Sequence, residues 1–323
     1  MTHSSTAGTV KAEDDAPVQR QTTAGGVCTL TLNRPAQYNA LSDDVLTALS
    51  NALSSVHDDP ETRCVVLAAN GRAFCAGHDL KELRSTEDPD RHRATFERCS
   101  TVMQQIVALP VPVIARVQGL ATAAGCQLVA SADLAVAADN ARFAVSGINA
   151  GLFCSTPAVA LSRNIATKRA FELLVTGEFI DAATACDWGL VNRVVAPNDL
   201  DEAVATLAGQ ICTKSGHAIR RGKALFYRQL EEPLSAAYVR ASAAISADLS
   251  SADAREGIDA FIDKRAPGLA RRLSNCRPCS RRIIERRPRT FETSADPIPA
   301  REHPIKCCEN HFSPALPSYR SCS

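Results

Sequence analysis

Two stretches of the chain combine small residues, a helix start and side chains able to do chemistry. The first is Phe74-Cys75-Ala76-Gly77-His78-Asp79-Leu80-Lys81-Glu82-Leu83. The second is Gln118-Gly119-Leu120-Ala121-Thr122-Ala123-Ala124-Gly125-Cys126-Gln127-Leu128. Each follows an apolar run and ends in a helix start, where backbone N–H groups lack intrahelical acceptors and the helix dipole favours negative charge. Small residues let a ligand approach the backbone closely. If both junctions met at one point, they would form an oxyanion hole for a polarised carbonyl. Taken singly, each reads more simply as a turn made for close helix packing. His78 titrates near neutral pH, so its imidazole could donate to a carbonyl oxygen or exchange a proton. It could equally pack over the helix start. Asp79 is better placed as a helix cap than as a catalytic carboxylate.

Other motifs fail. There is no G-x-G-x-x-G after a strand. The run Gly216–Lys223 has one residue too many between its glycines for a phosphate loop, and Ala224 stands where Ser or Thr is needed. No His pair has zincin spacing. Cys276-x-x-Cys279 and Cys307-Cys308, with His303 and His311, lie too far apart for a compact zinc site, so no metal is expected. Cys154 reads as a packed thiol before a nucleophile. Asn149 suits a substrate hydrogen bond or a turn, and the residues leave both open.

The elements that must position these residues follow from apolar periodicity. Val27–Leu32 reads as a strand. Ser42 caps a helix with Val45, Leu46, Leu49, Leu53 and Val56 on one face. Cys64–Ala69, Val111–Val117 and Leu134–Ala138 are apolar strands of the kind buried on both faces. Helices are expected near Asp79, over 91–108, and from the second junction to about Ser131. Such alternation predicts parallel α/β packing. From about Lys168 helices dominate: 168–176, 181–188, 199–214, 217–230, 233–252 and 254–264, with one short strand at Leu190–Val195. No internal repeat is visible.

Composition bounds the rest. Of 323 residues, 45% are hydrophobic and 22% charged, the balance of a globular protein. The longest apolar run, inside Arg116–Asp133, is too short and polar to span a bilayer. Of 36 Lys+Arg and 35 Asp+Glu, 11 and 5 fall in residues 268–323, leaving 25 and 30 in the acidic body. An acidic body argues against nucleic-acid binding. Eight scattered body cysteines read as reduced core thiols. The polar residues 1–25 read as a flexible leader, unlike a signal peptide or presequence. The expected organisation is leader 1–25, α/β core 26–200, helical module 201–267 and disordered basic tail 268–323.

Together, the ordered stretches resemble the enoyl-CoA hydratase/isomerase (crotonase) superfamily over about residues 27–267. They comprise Leu32-Asn33-Arg34-Pro35 with Asn39-Ala40-Leu41, Ala73–Leu83, Val111–Asp133, Phe143–Gly151, Thr176-Gly177-Glu178 with Ala182–Val195, and Glu256-Gly257-Ile258 with Phe261–Arg265. The resemblance implies an α/β spiral of ββα units followed by a C-terminal helical trimerisation module, giving a homotrimer or hexamer. It implies a coenzyme A thioester as substrate or ligand, with no separate cofactor. The thioester oxygen would take the backbone N–H groups of His78 and Ala124. Ala36, Gln37, Ala76, Asp79, Leu80 and Lys81 would line the CoA site, with Lys264 reaching a neighbouring subunit's site. It also implies a place in fatty-acid metabolism and a mitochondrial location, the cytoplasm being the alternative because the leader is unlike a presequence.

Two departures bear on mechanism. Hydratases place glutamates where this sequence has Gln127 and Gly147. Glutamine can orient water but exchanges no proton near neutral pH, and glycine has no side chain. Hydratase/isomerase-like enolate chemistry without the two-glutamate water is therefore the leading expectation. Decarboxylation of a carboxyacyl-CoA using His78, or acyl-CoA binding without catalysis, are the alternatives.

Overall fold

A computed structural model of the chain describes residues 15–269. The expected basic tail from residue 270 on, with Cys276, Cys279, His303, Cys307, Cys308 and His311, and residues 1–14 of the leader lie outside the described residues.

Strand β1 (Val18–Thr22) pairs antiparallel with β2 (Val27–Leu32). Ser42 accepts the Val45 N–H and opens α1 (Asp43–His57), whose five expected apolar residues are all buried. After β3 (Cys64–Ala69) come β4 (Ala73–Cys75), the short α2 (Leu80–Arg84) and α3 (Pro89–Ala108). Next are β5 (Val113–Val117), β6 (Leu120–Thr122), α4 (Ala124–Ser131), β7 (Leu134–Ala138) and β8 (Arg142–Ala144). Helices α5 (Ser155–Asn164) and α6 (Thr167–Thr176) lead through β9 (Ile180–Asp181), α7 (Ala182–Asp187) and β10 (Arg193–Val195) to four more helices. These are α8 (Leu200–Cys212), α9 (Gly216–Gln229), α10 (Leu234–Leu249) and α11 (Ala252–Ile262).

The strands sort into two sheets. The larger runs β1-β2-β3-β5-β7-β10 and the smaller β4-β6-β8-β9. Consecutive strands alternate between sheets: β3 then β4, β5 then β6, β7 then β8. Within each sheet the members of this series pair in parallel. This is the mixed α/β spiral expected from the resemblance. Every residue of β3 is buried. Val65 and Leu67 face the main core with α1, while Cys64, Val66 and Ala68 pack with Leu200, Val204 and Leu207 of α8.

Three expectations need correction. Strand β1 lies inside the segment read as a flexible leader; Val18 packs against the core and the strand completes the sheet edge. Residues 73–75 and 120–122, within or beside the two junctions read above as turns, form β4 and β6. Three residues are too few to show a period. Helix α8 covers the outer face of the large sheet, so it belongs with the α/β body and not with a separate module beginning at 201.

A buried ion pair fastens α9 to this body. Lys223 Nζ donates to Asp133 Oδ2 at 2.6 Å and to the Ile106 and Val111 carbonyls at 3.2 and 3.0 Å. Tyr227 donates its hydroxyl to the other Asp133 oxygen at 2.7 Å. Burial lowers the Lys223 pKa against the pull of Asp133. The lysine of the rejected phosphate-loop pattern is thus a structural tie.

Candidate active site

The two junctions meet. Gly77 has a positive φ of 91°, and a Cβ added there would lie 2.9 Å from Ala123 Cβ and 3.3 Å from the Ala124 nitrogen. Gly125 is pressed closer still onto the other strand, its added Cβ falling 2.0 Å from the Cys75 carbonyl oxygen. His78, next to Gly77, and Ala124, first residue of α4, are therefore neighbours across the two sheet-to-helix turns. The Ala124 N–H belongs to the helical turn that has no intrahelical acceptors. Ala123 holds φ 51° and ψ −121° with no glycine to relieve it, while donating its N–H to the Ala144 carbonyl at 3.0 Å. Strained backbone of this kind concentrates where a group must be held in place.

Hydrogen bonds from two amide side chains brace this corner. Asn39 is fully buried; its Nδ2 donates to the Asn70 and Ala73 carbonyls at 2.9 and 2.8 Å, and its Oδ1 accepts the Arg34 N–H at 2.8 Å. Gln118 Nε2 lies within 2.9–3.1 Å of the Ala69, Gly71 and Ala73 carbonyls. The loop holding Ala36 and Gln37 runs beside the first junction, with Ala76 N–H donating to the Tyr38 carbonyl and Leu41 N–H to that of Gly77. Sequence reasoning noted Asn39 as motif and Gln118 as part of a run. Their bracing role depends on contacts that local pattern does not encode.

The side chains that could act on a ligand contrast with this braced frame. Both His78 ring nitrogens are buried with no hydrogen-bond partner, and the ring stands edge-on to Phe96 at 5.0 Å. Burial holds its pKa below the usual 6.5, with the Leu41 backbone and Asp43 acting the other way. The imidazole is therefore neutral at neutral pH. Gln127 is 3% exposed, and its Oε1 is also unpartnered. Asp79 caps α2, accepting the Lys81 and Glu82 N–H groups at 2.8 and 3.3 Å. Leu80 and Lys81 are exposed on that helix.

Gly147 has no room for a larger residue. An added Cβ would sit 2.6 Å from Cys154 Sγ and 2.8 Å from the Leu152 carbonyl oxygen. Cys154 is half-buried, points its Sγ at the Val145 carbonyl at 3.5 Å, and has its pKa raised by burial. This is the packed thiol expected. Cys75 and Cys126 are pushed up to about 12 by burial and stay protonated. Asn149 Nδ2 reaches the Gly177 carbonyl at 3.4 Å, tying its segment to the end of α6. Lys264 lies beyond α11, exposed, with φ 52°. Among the described residues no three His, Cys, Asp or Glu side chains gather to hold a metal, and no helix is long and apolar enough to cross a membrane.

Comparison with known proteins places this geometry. The family model for enoyl-CoA hydratase/isomerase matches residues 22–272. The chain belongs to the enoyl-CoA hydratase/isomerase family. It is 46% identical over 242 residues to the rat protein named enoyl-CoA hydratase domain-containing protein 3, mitochondrial, covering 75% of this chain and 81% of that one. The human protein of that name is 45% identical, with 75% and 80% covered. Among solved structures, an enoyl-CoA hydratase from Mycobacterium smegmatis superposes with a TM-score of 0.78 at 53% identity, covering 78% of this chain and 98% of that one. Human enoyl-CoA hydratase domain-containing protein 3 gives 0.76 at 43%, covering 78% and 99%. The fold is the crotonase fold of that family.

Proposed function

We propose that this chain binds an acyl-CoA thioester at the meeting of the two junctions and stabilises its enolate, as a hydratase/isomerase-like member of fatty-acid metabolism. The observation that carries the reading is the packing of Gly77 on Ala123 and Ala124, which supports a pairing of the His78 and Ala124 amides across the two junctions. Two preorganised N–H donors stabilise charge that develops on a carbonyl oxygen. Ala36, Gln37, Ala76 and the start of α2 would line the CoA, and Lys264 would approach a neighbouring subunit's ligand.

Proton transfer falls to His78, whose neutral imidazole can accept or relay a proton and whose nitrogens are uncommitted. The ordinary hydration mechanism is not supported. Gln127 carries no exchangeable acid near neutral pH, and the space beside Gly147 is taken by Cys154 and the Leu152 carbonyl. If each acid/base group is worth roughly 10²–10⁴ in rate, losing both leaves chiefly the amide pair. A carboxyacyl-CoA decarboxylation using the same enolate is the second reading. It is favoured by an unpartnered neutral imidazole beside amide donors with no carboxylate pair.

Two further parts of the reading rest on other observations. The C-terminal helices leave Phe226, Leu230, Leu234, Tyr238, Val239 and Phe261 exposed, the last at 86%, which supports a homotrimer or hexamer built through this region. The mitochondrial names of the rat and human relatives support a mitochondrial location.

The test is mass spectrometry of the purified protein after incubation with crotonyl-CoA, a 3-enoyl-CoA and methylmalonyl-CoA, beside His78→Ala. Water addition, bond migration or CO₂ release that is lost in His78→Ala supports the reading. Equal turnover in the variant removes His78 from the chemistry. Absence of product with CoA ester retained leaves a binding protein.

A further inference from the structure

A cavity of about 310 Å³ opens between the start of α1, helix α2 and the first turns of α3, with His78 in its wall. Its lining is unusual for a site that would take a fatty chain. Asp43, Asp79, Glu82, Arg91, His92 and Arg98 all contribute to it, Asp79 being the cap of α2. Most of these charges are already committed. Arg98 pairs with Asp43 at 3.2 Å. Glu82 Oε2 accepts the Asp43 N–H at 2.9 Å. His92 Nε2 lies 3.0 Å from the Leu83 carbonyl. Two groups are left over. Among the described residues Arg91 has no ion pair or hydrogen bond, and neither His78 ring nitrogen has a partner.

We infer that this cavity receives the acyl end of the ligand and selects a short acyl chain that carries an oxygen, met by Arg91 and the His78 imidazole. The inference rests on the thioester reading above and deepens it. A carbonyl held at the His78 amide has two substituents. On the thioester reading the sulfur side would run toward Ala36 and Gln37, which leaves the acyl side the space that His78 also walls. A long alkyl chain there would displace water from charged groups without replacing its hydrogen bonds, which is costly. An acyl oxygen would instead satisfy Arg91, which is exposed and otherwise meets only solvent, and the imidazole, whose buried nitrogens otherwise have no partner at all.

Calorimetric titration of the full chain tests this with CoA, butyryl-CoA, octanoyl-CoA, 3-hydroxybutyryl-CoA and succinyl-CoA. At least one oxygen-bearing ester should bind about tenfold tighter than butyryl-CoA, the gain from one good polar contact, and octanoyl-CoA should bind weakest. The hydroxyl and carboxylate probes separate a neutral from an anionic acyl oxygen, and preference for either supports the inference. In Arg91→Ala the preference should shrink to about twofold or less while CoA and butyryl-CoA keep their affinity. Affinity that rises from butyryl to octanoyl overturns the inference but leaves the thioester reading standing. So does an Arg91→Ala variant that weakens every ligand equally. No binding of any ester, CoA included, overturns both.

Discussion

The two halves of the candidate site are built on opposite terms. The half that would hold a thioester is braced. Asn39 and Gln118 spend their amides on backbone carbonyls, Gly77 and Gly125 press two loops together, and Ala123 is held in a strained turn. The half that would act on the acyl group is unspent, because the His78 ring and Gln127 Oε1 have no partner. Buried polar atoms are nearly always satisfied, so the unsatisfied His78 ring in the cavity wall marks where a ligand completes the structure. Gln118 Oε1 is also unpartnered, but it lies away from the cavity and its Nε2 is held by three carbonyls. The contrast separates residues that position from residues that contact.

Breaking the braced half should cost the most. Gly125→Ala places a Cβ 2.0 Å from the Cys75 carbonyl oxygen. It should destabilise by about 3 to 4 kcal/mol in urea unfolding and abolish CoA-ester binding, because backbone must move at both junctions. Asn39→Ala should follow at about 2 to 3 kcal/mol, since it strands the Asn70 and Ala73 carbonyls and the Arg34 N–H. If either variant keeps full stability, the distinction between the halves fails.

The unspent half should show itself through pH. His78 has a folded pKa below its ordinary 6.5. The unfolded chain therefore binds more protons between the two values, and stability rises with pH across that window. The contribution is fully present above about pH 6.5 and is lost as acid carries the protein down through the folded pKa. Comparing urea midpoints of wild type and His78→Gln across that range should give curves that converge at acid pH. Parallel curves would mean that His78 is not held neutral. The smallest effect should be Ala123→Gly. Relieving φ 51° should stabilise by about 1 kcal/mol, read as a raised Tm, and slightly weaken ligand binding through a looser amide.

Much of the frame was legible in the sequence, because it depends on local pattern. The apolar face of α1, the caps Ser42 and Asp79, and the all-buried β3 follow from spacing and residue type alone. The short strands β4, β6 and β8 were not legible, being three residues each. Yet they form the second sheet, and they make the spiral repeat in space where no repeat exists in sequence. The composition of each junction suggested amide donors, but their convergence joins residues 77 and 123 and no local window contains both. The same limit hid the fate of position 147. Its glycine was visible, while the thiol that fills its space comes from Cys154.

The placement of α8 has a consequence for how the chain is made. Cys64, Val66 and Ala68 on one face of β3 find their cover in Leu200, Val204 and Leu207. Contacts so distant along the chain slow folding, since a long loop must close before they form. During synthesis, the outer face of the large sheet stays bare until residue 207 and its neighbours have left the ribosome. For that interval a strip of apolar strand is open to other nascent chains, and a polypeptide that stops at residue 200 carries that exposure permanently.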